Sequence, residues 1–146
     1  MKISTRFTVG VHTLILIALC QDSKRVTSEL IASSANINAV IIRKILGQLQ
    51  HAGIISTRAG VGGSYLEKKP EEITLLDIYR AVSQDDEKAF SVFNFHKNPN
   101  QACPVGQRIH ALLSPCLDSA QAAMEKELEK TTLADLMKEY FKTGGI

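Results

Sequence analysis

Histidine and cysteine side chains are the residues of this 146-residue chain with the greatest capacity for chemistry. His96, Cys103 and His110 recur at intervals of seven residues, but Pro99 and Pro104 interrupt any single helix that would align them as metal ligands. Cys103 also stands at the predicted start of a helix, where the helix dipole lowers the pKa of a thiol. Cys103 is therefore a candidate redox thiol. A packed, inert helix-start cysteine is the alternative.

The remaining reactive side chains form no catalytic pattern. There is no Ser–His–Asp set or carboxylate pair, and the glycine-rich run 60–64 lacks the lysine and the following helix of a phosphate loop. A thiol-dependent enzyme would need His96 or His110 beside Cys103, which sequence cannot establish. Three cysteines without a CxxC pair argue against a disulfide framework and for a reducing cytoplasm. We therefore predict no enzyme, no metal and no cofactor.

Charge is divided unevenly along the chain. Residues 1–70 contain nine Lys/Arg and three Asp/Glu, a balance of +6, whereas residues 71–146 contain eight and twelve, a balance of −4. A basic front half and an acidic back half suggest a polyanion-binding module joined to a part that avoids the polyanion. A chance division of surface charge is the alternative.

The stretch 27–66 has the pattern of a helix–turn–helix followed by a β-wing. Thr27 and Ser28 are N-cap residues for a short helix, 33–38 is a polar turn, and Asn36 or Asn38 can cap a second helix over 38–52. The inward face of that second helix is predicted to carry Ile41, Ile42, Ile45, Leu46, Leu49 and Ala52. Its outward face is predicted to carry Val40, Arg43, Lys44, Gly47, Gln48 and His51. Two β-prone runs, 54–57 and 64–67, flank a glycine-rich loop and complete the wing.

This unit has side chains suited to reading DNA. In a major groove, Arg43 can donate to guanine O6 and N7, and Asn38 can pair with adenine. The free N–H groups of the first helix, at Thr27 and Ser28, can hold phosphates. Arg58 at a narrow wing tip suits a minor groove. Further contacts with or near phosphates are expected from three cations: Lys2, Arg6 and Lys44.

The first helix of the chain is predicted over 1–20. Its apolar run 7–20 is interrupted by polar residues and is too short to span a bilayer, and it lacks an Ala-x-Ala cleavage site. A helix that is apolar nearly all round is either fully buried or shared with a partner subunit. We therefore expect a cytoplasmic protein with no membrane contact.

The back half is predicted to be an assembly region. Thr74 caps a helix over 75–82, a long connection spans 83–103, and a stripe of apolar residues then continues from 105 to 130. Such a helix overshoots a small domain, so the stripe is expected to pack against a second subunit. Its predicted interface residues are Ile109, Leu112, Cys116, Ala120 and Met124. Pro115 should kink or split this helix. Thr131 or Thr132 caps a last helix over 133–141.

The segment AGIISTRAGVGGSYL (52–66) resembles the wing signature of the Rrf-two family of bacterial winged-helix transcription regulators. In that family a hydrophobic strand leads to Ser-x-x-Arg-Gly-x-Gly-Gly-x-Tyr or a close variant. The resemblance extends to 6–19, 37–49 and 73–82, and HKNPNQACPVGQRI (96–109) is similar to the YwnA-like branch. The fold class is accordingly mainly α with a small β-wing, with domains at 1–82 and 104–146 joined by the connection 83–103.

The resemblance implies a homodimer, built on the long helix and the first helix, that binds a pseudo-palindromic operator. It places the recognition helix at Asn38, Ala39, Val40, Arg43 and Lys44, and the wing at Arg58, Gly60, Gly62, Gly63 and Ser64. Arg58 stands one place before the family's usual Arg-Gly, and Ser64 replaces a common third glycine. The base contact of the wing therefore stays open. Relatives with an iron–sulfur cluster carry three cysteines before the long helix, whereas this chain has only Cys103 there.

Two classes of function follow from these patterns. The leading hypothesis is a DNA-binding transcription regulator that responds to a small molecule, a redox signal or a protein. A repressor is the expected kind of regulator. The alternative is a winged-helix module that binds another protein and has no sequence-specific affinity for DNA.

Overall fold

The computed structural model describes residues 5–58, 62–83 and 92–144. Two of the predicted DNA-binding residues, Lys2 and Gly60, lie outside these ranges. Six α-helices, one 3-10 turn and a two-stranded sheet are described. Their bounds are α1 Thr5–Cys20, α2 Ser28–Ala35, α3 Ala39–His51, β1 Ile55–Thr57, β2 Ser64–Leu66, the 3-10 turn Pro70–Glu72, α4 Leu75–Val82, α5 Pro104–Glu129 and α6 Leu133–Lys142.

Short polar side chains begin four of the helices, as their residue types predicted. The Thr27 hydroxyl accepts from the Leu30 N–H at 3.2 Å, and the Asn38 side-chain carbonyl accepts from the Val40 N–H at 2.8 Å. Thr74 and Thr132 each form a reciprocal capping box with the aspartate three residues later. The polar turn predicted over 33–38 is too long, because α2 continues to Ala35 and ends on Asn36 in the left-handed conformation, with φ 54°.

The core lies where α1 to α4 meet, and one residue of α6 completes it. Its fully buried side chains are Leu14, Ile17, Ile31, Ile42, Ile45, Leu49, Ile73, Ile78 and Leu133. A Cβ built on Gly10 of α1 would lie 3.1 Å from Cγ1 of Val82 on α4, so these two helices pack closely. Three of the fully buried side chains, Ile42, Ile45 and Leu49, belong to α3. The inner side of α3 is therefore fixed by direct contact with its neighbours.

The division of α3 into two faces differs from the sequence pattern at two positions. Gln48, predicted to face outward, is only 5% exposed, and Ile41, predicted to face inward, is 46% exposed. α3 packs against both α2 and α4. These contacts bury the row of residues at 42, 45, 48 and 49 and leave position 41 at the edge. Periodicity alone indicated an apolar arc, and tertiary packing determined which part of it is covered.

The wing is an antiparallel pair in which Ile55, Ser56 and Thr57 lie opposite Leu66, Tyr65 and Ser64. A segment before α2 extends this pairing. The Ser64 N–H donates to the carbonyl of Val26 at 3.0 Å, and the Leu66 N–H donates to Oε1 of Gln21 at 2.9 Å. The wing is thus attached to the residues that lead into the helix–turn–helix.

The long helix α5 contains 26 residues and is about 39 Å long. It continues through Pro115, so of the two predicted outcomes the split into two helices is wrong, and a kink at Pro115 stays a prediction. The missing N–H leaves a carbonyl on an exposed surface, where water can bond to it. None of its residues is buried within the part of the chain that the structure describes.

The last helix returns to the front half of the chain. The Leu133 N–H donates to the carbonyl of Ile73 at 2.8 Å, and the Leu75 N–H donates to the carbonyl of Thr131 at 2.9 Å. α6 therefore packs on the same core as the helix–turn–helix. Taken one at a time, the described helices are each too short or too polar to span a bilayer; α2 and α3 pass on length and composition only as a pair bent by 115°.

Candidate nucleic-acid interface

One cleft brings together three elements that sequence placed in a DNA-reading unit. It has a volume of about 380 Å³ and lies between the start of α2, the outward face of α3 and the wing. Its lining includes Thr27, Ser28, Arg43, Gly47, Gly63 and Ser64. A helix N-terminus, an arginine and a glycine-rich strand end therefore meet around one open space. Backbone N–H groups and a guanidinium are donors that suit an anionic ligand.

The outward face of α3 is solvent-exposed over the positions predicted for base contacts. Asn38, Val40, Arg43 and Lys44 are exposed, and Ala39 is half-buried. The Asn38 oxygen already accepts from the Val40 N–H. Adenine N6 and this cap would therefore have to share the two lone pairs of one oxygen.

Arg43 is not isolated on that face. Its Nη2 lies 3.0 Å from Oε1 of Glu29, which belongs to the first turn of α2. The pair therefore crosses from one helix of the helix–turn–helix to the other, within the cleft. The N–H of Glu29 itself, then Arg43 and Ser28, hold the pKa of this carboxyl below its usual value, so it is ionised at neutral pH.

The wing holds Arg58 in a defined position. Its guanidinium carbon lies 4.0 Å from the ring centroid of Tyr65, on the opposite strand. This is a cation–π geometry, and it directs an exposed arginine across the face of the wing. The contact restricts a side chain that would otherwise be free to rotate.

The two described wing glycines are required by their surroundings. Gly62 and Gly63 have φ values of +74° and +80°, which L side chains rarely adopt. A Cβ on Gly63 would also lie 2.8 Å from Cγ of Arg25 and 3.2 Å from the Val26 nitrogen. The glycine therefore allows the Arg25 stem to pack directly against the wing.

Arg25 is a candidate contact that the sequence pattern did not reveal. It lies in the predicted loop between the first two helices, is exposed, and packs against Gly62 and Gly63. The signal was a cation two residues before the Thr27 cap, beside the phosphate site predicted at the start of α2. Only the pairing of Val26 with Ser64 brings it to the wing, and that pairing is not evident from sequence.

The other predicted contacts are less central. Lys44 is exposed beside Arg43 but does not line the cleft, and Arg6 is half-buried on α1, away from the cleft lining. The structure thus gathers Thr27, Ser28, Arg43 and the wing, and it does not gather Arg6 with them.

The predicted assembly stripe lies uncovered along α5. Leu112 is 63% exposed, Cys116 and Ala120 are exposed, and Ile109 and Met124 are half-buried. Val105 and Leu113, which flank the stripe, are also exposed. Apolar side chains at this density on one helix are typical of a surface that another element covers.

Cys103 begins α5 and is exposed. The N–H groups of Gly106 and then Val105 lower the pKa of its thiol below the usual value. Cys20 is half-buried on α1, and Cys116 is exposed 13 residues further along the chain, about 20 Å along the axis of α5. His96 lies with its ring centroid 5.9 Å from that of His110. Within residues 5–58, 62–83 and 92–144, no three His, Cys, Asp or Glu side chains are arranged to hold a metal.

Comparisons with known proteins match nearly the whole chain to one family of transcriptional regulators. A family model described as "Rrf2: Iron-dependent Transcriptional regulator" matches residues 3–139. "Putative HTH-type transcriptional regulator YwnA" of Bacillus subtilis (strain 168) is 41% identical over 139 residues, which cover 95% of this chain and 99% of that protein. "Protein rrf2" of Nitratidesulfovibrio vulgaris is 31% identical over 141 residues, covering 95% of this chain and 89% of that protein.

Two solved structures are similar to this chain over most of its length. A crystal structure titled as a putative DNA binding protein is 41% identical, with a TM-score of 0.72 over 90% of this chain and 98% of that one. The structure titled "T. potens IscR" is 21% identical, with a TM-score of 0.71 over 99% of this chain and 91% of that one, and shares the fold.

The family description names iron, and the described residues of this chain do not fit an iron centre. Cys103 and Cys116 are too far apart along α5 to share a metal, and Cys20 belongs to another helix.

Proposed function

The chain belongs to the Rrf2 family of transcriptional regulators, and we propose that it acts as a homodimeric repressor on a pseudo-palindromic operator. The cleft between α2, α3 and the wing carries this proposal. The outward face of α3 is proposed to enter the major groove, with Arg43 on a guanine and Asn38, Ala39, Val40 and Lys44 beside it. Wing residues 58–64 then reach the adjacent minor groove.

Phosphates are proposed to bind at the edges of the cleft. The positive end of α2 at Thr27 and Ser28 is proposed to face one phosphate. Two N–H groups of this first turn already have acceptors, since Leu30 donates to the Thr27 hydroxyl and Glu29 to its own carboxylate. Arg25 stands on the wing side, where it is held by packing against Gly63. These contacts fix the register of the protein on the duplex and leave sequence reading to α3.

The dimer is proposed to form along α5. The stripe at Ile109, Leu112, Cys116, Ala120 and Met124 would be covered by the partner subunit, together with part of α1. A two-fold axis through this contact places two copies of α3 at a fixed separation, and a half-site repeat in the DNA follows from that symmetry. Repression is favoured because occupancy of the operator is sufficient for it, whereas activation needs a further contact.

The chain would then have three parts: 1–82 binds DNA, 83–103 connects, and 104–146 assembles the dimer, with α6 packed back on the first part. An effector that acts between reader and dimer could be a small molecule, a protein or an oxidant acting at Cys103. We place the protein in the cytoplasm, where its DNA partner would lie.

One observation favours the alternative of a protein-binding module. Val40 and Ile41 are 66% and 46% exposed on the face of α3 that is proposed to enter the groove. Apolar side chains at this position suit a protein partner, and they equally suit the methyl group of thymine. The salt dependence of binding distinguishes the two, because an apolar protein contact releases few counterions.

The decisive experiment is titration of the full-length protein with duplexes from a random pool at several salt concentrations. We expect log K to fall with log salt at about 0.9 per neutralised phosphate, so that affinity drops by orders of magnitude between low and physiological salt. Selection should enrich a sequence with two related half-sites. A salt response near zero, or no duplex binding at low salt, would reject the regulator and favour the protein-binding module.

A further inference from the structure

Glu29 is an acidic residue inside a cleft that is otherwise suited to an anion. It lines the cleft with Thr27, Ser28 and Arg43. Residues 1–70 contain only two other acidic side chains, Asp22 and Glu67. A carboxylate beside a phosphate-binding helix N-terminus repels the nucleic acid and weakens binding to every sequence. Some benefit of Glu29 should therefore offset the weaker binding to DNA that its charge causes.

Stability of the fold does not supply that effect. The side chains of Glu29 and Arg43 are 69% and 56% exposed. An exposed ion pair of this kind contributes little to folding, because water screens the charges and the two side chains lose rotational freedom. The effect of the contact is therefore expected on the side chain of Arg43 rather than on the stability of the fold.

The geometry constrains Arg43 from both ends. Its backbone belongs to α3, which is fixed in the core by Ile42 and Ile45 on either side of it. Its Nη2 donates to Oε1 of Glu29 at 3.0 Å, and Oε2 of the same carboxylate accepts from the Ser28 hydroxyl at 3.1 Å. The acceptor is itself held in place, and a guanidinium carries five N–H donors. One bond through Nη2 leaves donors for a base edge.

We propose, resting on the proposed function of this cleft, that Glu29 is a specificity-determining residue that positions Arg43 for a single base. The carboxylate keeps the guanidinium in one orientation before DNA arrives, which reduces the ordering entropy lost when a matched base is bound. The same charge weakens binding to matched and unmatched sequences alike. The gain in discrimination therefore comes from the orientation of Arg43.

A different role for the pair would be masking, in which Glu29 merely competes with DNA for Arg43. Masking weakens matched and unmatched binding by the same factor and leaves the sequence preference unchanged. Positioning and masking therefore differ in the preference, which selection from a random pool of duplexes measures directly.

The experiment is parallel selection from one random-sequence duplex pool with the parent, Glu29→Gln, Arg43→Ala and the double variant. The charge-matched control is Glu71→Gln, an exposed carboxylate on the 3-10 turn that does not line the cleft. The affinity of each protein is then measured for the enriched duplex, for the same duplex with one base pair per half-site replaced, and for an unselected duplex.

We expect Glu29→Gln to lose about fivefold to tenfold of discrimination at one position per half-site while binding unselected duplex more tightly than the parent does. In the Arg43→Ala background, Glu29→Gln should have no further effect on that preference, because the two residues act as a unit. Glu71→Gln should keep the preference of the parent.

Retention of the full preference by Glu29→Gln, with equal tightening on all duplexes, would overturn positioning and establish masking. Loss of the same preference in Glu71→Gln would attribute the effect to net charge and overturn it as well. If the parent shows no salt-dependent duplex binding, the proposed function fails, and positioning fails with it. If the parent selects a sequence and Glu29→Gln retains the full preference of the parent at every position, only the role of Glu29 is wrong.

Discussion

Two helices of this chain, α3 and α5, each have an apolar side and a polar side. They differ in how far the apolar side is buried within the subunit. In α3, Ile42, Ile45 and Leu49 are fully buried against neighbouring helices of the same chain. In α5, which is twice as long, none of the described residues is buried, and Leu112 is 63% exposed.

The difference separates two kinds of helix that a hydrophobic pattern does not distinguish. The apolar side of α3 fixes the orientation of its outer side, so a single subunit already holds the proposed reading residues in place. α5 contacts α4, but Leu112 and other apolar side chains of the stripe stay exposed in the described part of the subunit. Reading geometry is therefore a property of the fold, and the proposed spacing between two readers is a property of assembly, which depends on protein concentration.

The largest expected effect comes from placing a charge on the apolar side of α5. Leu112→Glu should leave a monomer that folds, because the residue is exposed, but it should prevent dimer formation, since an unpaired charge would be buried. Affinity for a duplex with two half-sites should fall by about 10²-fold or more, because the second contact is no longer intramolecular. Sedimentation and duplex titration measure the two losses.

Val40→Glu is the matched control, since Val40 on α3 is 66% exposed. It should remain dimeric, and it should lose affinity for DNA through charge repulsion and through loss of its proposed contact in the major groove. A parent protein that sediments as a monomer, or a Leu112→Glu variant that stays dimeric, would contradict the proposal that α5 forms the dimer interface.

The next effect concerns stability. Ile45→Ala should lower the free energy of unfolding by about 2–5 kcal/mol, because Ile45 is fully buried and its removal leaves a cavity in the core. Leu112→Ala should matter only in so far as the dimer is populated, so its effect should grow with protein concentration. Urea unfolding at two protein concentrations separates the two effects. Equal sensitivity of both variants to concentration would contradict the assignment of Ile45 to the core and Leu112 to an interface.

A smaller effect is expected on the outward face of α3. Arg43→Ala should relax the preference at one position in each half-site, at about 1–3 kcal/mol, and leave the dimer intact. Arg58→Ala is the comparison on the wing, and it should weaken binding most where a narrow A·T minor groove flanks the half-site. Competition among duplexes with single base changes measures both. If the two variants weaken all duplexes uniformly, both arginines contact phosphates and neither reads a base.

The smallest effect is expected at the start of α5. The start of α3 is capped by Asn38, whereas α5 begins at Cys103, whose thiol pKa is lowered by the N–H groups of Gly106 and Val105. More thiolate is then present at neutral pH, so iodoacetamide should modify Cys103 a fewfold faster than Cys116, and the midpoint of its pH–rate profile should lie below the usual range of a thiol. Mass spectrometry of the alkylated peptides measures the rates.

Cys103 is a redox switch only if its oxidation also changes DNA binding. Mild oxidant should weaken duplex binding of the parent, because Cys103 joins the connection 83–103 to the proposed dimer helix. Cys103→Ser should resist the oxidant. Equal reactivity of the three cysteines, or an unchanged response in Cys103→Ser, would remove the switch and leave Cys103 a helix-start residue.

Much of the fold follows from signals that act over a few residues. Thr27, Asn38, Thr74 and Thr132 cap helices because their side chains reach an N–H two or three residues ahead, a relation that sequence contains in full. The glycine at 53, with φ +76°, ends α3 for an equally local reason.

What sequence could not show depends on contacts between distant residues. Gln48 is buried because α3 packs between α2 and α4, and Arg25 belongs to the wing because Val26 pairs with Ser64. Likewise, α5 continues through Pro115, where the carbonyl that lacks an N–H partner lies on an exposed surface and can accept from water. The Glu29–Arg43 pair joins residues 14 positions apart, on two helices whose crossing no spacing rule supplies. The reading elements were thus predictable, and the contacts that orient their side chains were not.

The attachment of α6 to the start of α4 has a consequence for biosynthesis. Leu133 occupies the core beside Ile73, and the backbone bonds between 73–75 and 131–133 close it. A ribosome releases the helix–turn–helix and the wing well before it releases this residue. The reading unit can therefore reach its final packing only after the whole of α5 has also emerged. A nascent chain therefore completes its core and exposes its proposed assembly helix in the same interval, and the proposed dimer can form only from then on.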